Sequence, residues 1–210
     1  MSASSINAPG LTVSTTINTS NSKPGLTAIT GPSANGKTTL RRILYEALVE
    51  AGAITVRVMQ VDASDIIRWA IKNTHMKDII VQHQDMMNAG WFLPDEVMIP
   101  VVTLWLEKTL AENPDLDLLI ASGLPRTVAQ HEAITRFFDP NRTLIVSVDI
   151  SKKGSFDGMK RRAAQSNASG AEARTDDAGG DQVYENRWES YQTQTKPMLA
   201  GLGSMVQHLD

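Results

Sequence analysis

The chain has 210 residues, 41% of them hydrophobic, a formal net charge of −3 and no cysteine. That length fits one domain with a substantial core. The mildly acidic balance gives no electrostatic case for a nucleic-acid partner, and the lack of cysteine excludes disulfides and thiolate metal sites. No apolar run reaches the roughly 20 residues needed to span a bilayer, so the expectation is a cytoplasmic protein with no membrane or nucleic-acid partner, acting as a monomer.

Residues 1–24 are rich in Ser and Thr, and Lys23 is the first charged side chain. They lack the apolar core of a secretion signal and the arginines of a transit peptide, and read as a flexible tail ahead of one domain over 25–210. That domain opens with a predicted strand, 26–30, running into Gly31-Pro-Ser-Ala-Asn-Gly36-Lys37-Thr38 and a helix over 38–51. This is a complete G-x-x-x-x-G-K-[ST] loop in the strand-to-helix context that phosphate binding needs. Gly31 and Gly36 permit positive φ and close backbone approach. The loop amides of Ala34, Asn35 and Gly36 can point at an anion. Lys37 can reach the terminal phosphates, and Thr38, followed by Thr39, can offer a hydroxyl to Mg²⁺.

A second strand is predicted over 54–61, followed by Asp62-Ala-Ser-Asp65-Ile-Ile-Arg68, where Arg68 is a candidate for an acceptor's phosphate. Helices are predicted at 64–73, 76–89 and 95–112, then a strand at 117–121. Its apolar run, like that of 143–149, lacks polar alternation and suits a parallel sheet covered on both faces. Between them lie Ser122-Gly123-Leu-Pro-Arg126-Thr and a helix over 127–138. Arg126, at the carboxyl end of a strand, has the planar fork to bridge two phosphoryl groups. Helices at 156–166 and 182–199 and a weak strand at 204–209 complete a doubly wound α/β pattern, with ligands beyond the strands' carboxyl ends. The small, polar stretch 165–174 is flanked by Arg161, Arg162, Arg174 and Arg187; it reads as a lid closing on phosphates, over about 162–177. His75, His83, His131 and His208 have no metal-ligand spacing.

These motifs resemble the nucleoside monophosphate kinases, most closely the adenylate kinase family of short-lid type, from about residue 26 to the end. Gly31–Thr39 looks like the donor-phosphate loop. Asp62–Arg68 is similar to the Ser-Thr-Gly-Asp-x-x-Arg segment. Ala89-Gly-Trp-Phe-Leu-Pro-Asp95-Glu-Val resembles Gly-x-x-Val-x-Asp-Glu, which would bring the backbone of Trp91, Phe92 and Leu93 to the acceptor within an acceptor segment of about 62–95. Gly123-Leu-Pro-Arg126-Thr-Val-Ala-Gln130 looks like Gly-Phe-Pro-Arg-Thr-x-x-Gln. Arg174-Thr-Asp176-Asp177 resembles the lid Arg-x-Asp-Asp, and Arg187 the next family arginine.

The resemblance implies a P-loop kinase that moves the γ-phosphoryl group of ATP, with Mg²⁺, to a nucleoside monophosphate, AMP being favoured. Lys37, Arg126, Arg174 and Arg187 would be catalytic, and Arg161 would lie by the donor base. Arg68, Gly123, Arg126, Arg174 and Arg187 would hold the acceptor. Gln130 would read adenine through its amide, and Asp176 and Asp177 would orient the lid arginines. Two departures stand out: Ser122 occupies the place of a family Asp associated with magnesium, and Ala63 that of a base-contacting Thr. A UMP/CMP kinase, a kinase with a different small acceptor, and a catalytically weak nucleotide sensor remain open alternatives.

Overall fold

The computed structural model describes residues 23–50, 57–169 and 180–209. Five strands, β1 (Gly25–Thr30), β2 (Val58–Asp62), β3 (Leu118–Ser122), β4 (Thr143–Val148) and β5 (Val206–Leu209), form one parallel sheet in the order β2-β3-β1-β4-β5. The continuous apolar runs explain this arrangement: in β1, Leu26, Ala28 and Ile29 are all buried, which requires cover on both faces. β1 is central, with β3 on one side and β4 on the other, so the chain reverses its winding there. Ligands of such sheets collect beyond the carboxyl end of that strand.

Helices α1 (Lys37–Glu50), α2 (Ala63–Asn73), α5 (Asp95–Glu112), α6 (Val128–Thr135) and α7 (Lys152–Ser169) fall close to their predicted places. α5 carries much of the core: Val97, Met98, Val101, Val102 and Leu106 are buried against strand residues such as Leu26 and Leu119. α1 is the opposite case. None of its residues is buried, and Ile43 and Val49 are half-exposed.

The structure corrects two predicted helices. The one expected over 76–89 is two short helices, α3 (Lys77–Gln82) and α4 (Gln84–Asn88). At His83 the amide donates to Ile80 O, three residues back, and the ring Nδ1 meets Ile79 O at 2.8 Å; the tightened turn ends the first helix. The helix expected over 182–199 is α8 (Gly180–Ser190), a π-helical turn at Tyr191–Thr195, and α9 (Lys196–Leu202). Pro197 has no amide to continue the i→i−4 ladder, and Lys196 N bonds Tyr191 O five residues back. Of the strand expected at 54–61, residues 54–56 lie outside the described residues, as does the tail through residue 22. Among the described residues no helix is long and apolar enough to cross a membrane.

Candidate active site

At the end of β1 the backbone turns through Gly31 at φ +126°, where a Cβ would run into Asn35 and the carbonyl of Val148. Only glycine fits there. Gly36 is also at positive φ, and its carbonyl accepts the Leu40 amide at 2.9 Å, starting α1. Asn35 pins the loop sideways: its Nδ2 donates to Val148 O at the end of β4. α7 supports the loop from below. Ser155 Oγ donates to Ser33 O at 2.7 Å, and Ala34 lies against Gly158, where an added Cβ would come within 2.9 Å of it.

The Lys37 ammonium curls into this loop. It donates to Gly31 O (3.1 Å), Pro32 O (2.5 Å) and Asn35 Oδ1 (2.8 Å). The residue keeps partial exposure, but its charged end is enclosed by protein. Loss of hydration, followed by the nearby positive charge of Arg126, lowers its pKa from the ordinary 10.5 to about 7, against an opposing pull from Asp62. Burial disfavours the charged form, and so does a neighbouring cation. A phosphate entering beside Lys37 would offset both penalties, because an adjacent negative charge favours the ammonium.

In front of the loop opens a cleft of about 400 Å³. Among the described residues its walls carry five cations, Lys37, Arg126, Arg161, Arg162 and Arg187, and one carboxylate, Asp62. A molecule of net charge −3 thus concentrates positive charge in one concavity, which is how a protein draws in a polyanion. Thr38 and Thr39, at the start of α1, line the same cleft. Phe92 forms a platform between two of the arginines: the Arg126 guanidinium stands 4.1 Å and that of Arg187 5.9 Å from its ring centre. Such cation–π contacts hold an arginine in place without consuming its hydrogen-bond donors.

Arg126 is fixed from behind as well. Its Nε donates to Gly123 O at 2.8 Å. Its backbone amide donates to Gln130 Oε1 at 3.0 Å, and Gln130 Nε2 donates to Asp95 Oδ1 at 2.8 Å. Asp95 Oδ2 accepts the Thr127 hydroxyl at 2.7 Å, and Thr127 caps α6. Gln130 is 1% exposed. Its amide is built into the support of Arg126, and Gln130 is not among the residues that line the cleft.

The other predicted residues divide in the same way. Gly31, Ala34, Asn35, Gly36, Lys37, Thr38, Thr39, Arg161, Phe92, Gly123, Arg126 and Arg187 all line the cleft. Arg68 does not; it is largely exposed and paired with Asp65 one helical turn away. Leu93 is a core residue, and Trp91 does not reach the cleft wall. Arg174, Asp176 and Asp177 lie outside the described residues. Sequence reasoning named Arg162 only as a lid-flanking arginine and did not place Asp62, Tyr191 or Thr195 in the cleft. Asp62 had a signal, since it opens the Asp62–Arg68 motif directly after a predicted strand; Tyr191 and Thr195 had none, because the π-helical turn that presents them leaves no local pattern.

No protein-family model matches the sequence, and no curated protein matches it. Among solved structures the fold is similar to that of a gluconokinase from Sinorhizobium meliloti 1021, at 15% identity over 90% of this chain and 84% of that one, with a TM-score of 0.51. It is also aligned with a protein called APE1195, at 14% identity over 81% of this chain and 94% of that one, with a TM-score of 0.47. The architecture is a five-stranded parallel α/β fold with a P-loop kinase as structural neighbour.

Proposed function

We propose that the protein is a phosphotransferase that moves the γ-phosphoryl group of ATP to a nucleoside monophosphate, AMP foremost. The observation that carries this is the convergence of Lys37, Arg126 and Arg187 in one cleft with the phosphate loop. Binding alone would be served by the loop; three cations where a phosphoryl group would pass fit its transfer. Such transfer spreads charge over equatorial oxygens, and catalysis consists mainly of positioning and charge stabilisation. In this scheme Lys37 leaves its loop oxygens for the donor phosphates. Arg126, braced on Phe92, grips the acceptor's phosphate, and Arg187 meets the charge of the transferring group. Arg161 and Arg162 flank the donor. Arg174, with Asp176 and Asp177 as its orienters, belongs to the same scheme through the resemblance of the lid motif.

The donors suited to magnesium are the hydroxyls of Thr38 and Thr39 and one carboxylate, all hard oxygens. Among the described residues no group of three His, Asp or Glu could hold a metal by itself. Both facts fit an ion carried mainly by phosphates and water, as magnesium is at kinase sites. Bound there, it would neutralise charge between the β- and γ-phosphates.

A second acceptor class has one observation in its favour. Gln130 is sealed behind Arg126 and Arg68 is turned to solvent, so two residues of the nucleotide-acceptor scheme are not in the cleft. A small phosphate-free acid, of the kind a gluconokinase acts on, would need neither. A coupled assay with ATP against AMP, CMP, UMP, GMP and gluconate tests both: turnover with a monophosphate is expected, turnover with gluconate alone would replace the acceptor, and none with any would remove the proposal.

A further inference from the structure

The carboxylate that the resemblance places at the end of β3 is Ser122 in this chain, and a carboxylate stands at the end of the neighbouring strand. Asp62 ends β2 and Ser122 ends β3, and the two are register partners across parallel strands. Ser122 is wholly buried, and its hydroxyl donates to Asp62 Oδ2 at 2.8 Å. On the other oxygen, Asp62 Oδ1 accepts the Ser64 amide at 3.0 Å and the Ser64 hydroxyl at 2.8 Å. Donors from two elements, β3 and the start of α2, hold the carboxylate in one orientation at the cleft wall. Behind Ser122, Arg41 Nη1 lies 3.4 Å from its oxygen, adding positive charge to the back of the pair.

A fixed negative charge beside a phosphate loop is unfavourable for phosphates unless a cation stands between them. The Asp62 charge reaches the Lys37 ammonium, which it stabilises, so it acts where the donor phosphates would lie. A cap needs no such placement: Asp62 already caps α2 by accepting backbone amides of its first turn. The hydrogen bond from the buried Ser122 comes in addition to that structural task.

We propose that Asp62, held by Ser122, is the carboxylate that positions the hydrated magnesium ion of the bound nucleotide, the charge having moved one strand sideways from β3 to β2. This rests on the kinase proposal for the cleft and assigns Asp62 a positioning role toward the metal.

The test is calorimetric titration of the β,γ-imido analogue of ATP, with and without Mg²⁺, into the full chain. In the wild type, magnesium is expected to tighten binding at least tenfold. Asp62→Asn keeps the α2 cap; it is expected to lose most of that gain while binding the metal-free analogue as tightly as the wild type or more tightly, because a repulsive charge has been removed. A role confined to capping would not separate the two. The double exchange Asp62→Ser with Ser122→Asp returns a carboxylate to the facing position and is expected to recover at least half of the lost gain. Asp62→Asn retaining the full magnesium gain would overturn the inference. So would an exchange variant that binds the metal-free analogue but recovers nothing, or a wild type that binds the analogue equally well without magnesium. A wild type that binds no analogue under either condition would instead remove the kinase proposal beneath it.

Discussion

The two halves of the cleft are built by different means. The donor half is backbone: a glycine-dependent loop pinned to β4 by Asn35 and to α7 by Ser155, with its cation folded into its own carbonyls. The proposed acceptor half is side chain upon side chain: Arg126 on Phe92, its backbone on Gln130, and Gln130 on Asp95. The first resists almost any substitution at a few positions, because backbone conformation leaves them no choice. The second allows many substitutions in principle, but each transmits through the rest, because each buried polar group relies on the next for its partner. A phosphate site can therefore be reused with little change, whereas the acceptor site can be retuned by altering residues that never touch the acceptor.

Lys37→Met is the most severe way to break the donor half. It should lower kcat by roughly 10³-fold or more, since even one preorganised donor to transition-state charge is worth about 10²–10³. Circular dichroism should be unchanged, because Lys37 is no part of the core. Wild-type turnover in the variant would end the case for Lys37 as the cation of the transferred phosphoryl group.

On the acceptor half, Arg126→Ala should cost about 10²–10³ in kcat, with a smaller effect on ATP binding. Steady-state kinetics with both substrates varied would measure the split, and a change confined to KM would place Arg126 in ground-state binding.

Gln130→Ala sharpens the comparison most. If Gln130 read the base, the loss would appear in the KM of AMP alone. The structure predicts otherwise: about 1–3 kcal/mol of stability lost, from leaving Asp95 and the Arg126 amide short of a partner, and a fall in kcat of similar size for every acceptor accepted. A selective rise in the AMP KM, with melting temperature unchanged, would contradict it.

A gentler probe is pH. The Lys37 pKa of about 7 lies below its ordinary 10.5, so between those values the unfolded chain holds a proton that the folded chain has released. Stability of the nucleotide-free protein should therefore rise with pH across that window. Melting temperatures at pH 7 and pH 9 should show a gain in the wild type that is reduced in Lys37→Met. Equal gains in both would mean the ammonium is better hydrated than its surroundings indicate.

The smallest effect expected is that of Arg68→Ala. With Arg68 exposed and paired only at short range with Asp65, the change should move the KM of either substrate by less than about twofold and stability by about 0.5 kcal/mol or less. A tenfold rise in acceptor KM would show that α2 swings inward during turnover.

What could be read from the sequence follows the same division. Gly31 to Thr38 announce the loop because conformational demand falls on neighbouring residues. The runs at 118–122 and 143–148 announce buried strands because burial is written residue by residue. The surroundings of Gln130 were hidden: a glutamine facing a base and one bracing an arginine look alike in sequence, and its burial beside Asp95, on another helix, is a matter of packing. The pairing of Asp62 with Ser122 is a matter of strand register between segments far apart in sequence. The break at His83 lacked a glycine or proline to mark it.

Gly158 sets a dimension of the molecule. Ala34 lies in the space a side chain would take there, and Arg161 and Arg162 project from the next turn of the same helix. The span between the phosphate loop and these two arginines is therefore gauged by a missing methyl group. A residue of any size at 158 would act as a shim, driving α7 outward and widening the cleft along its whole length, while every residue that touches a phosphate stayed chemically the same.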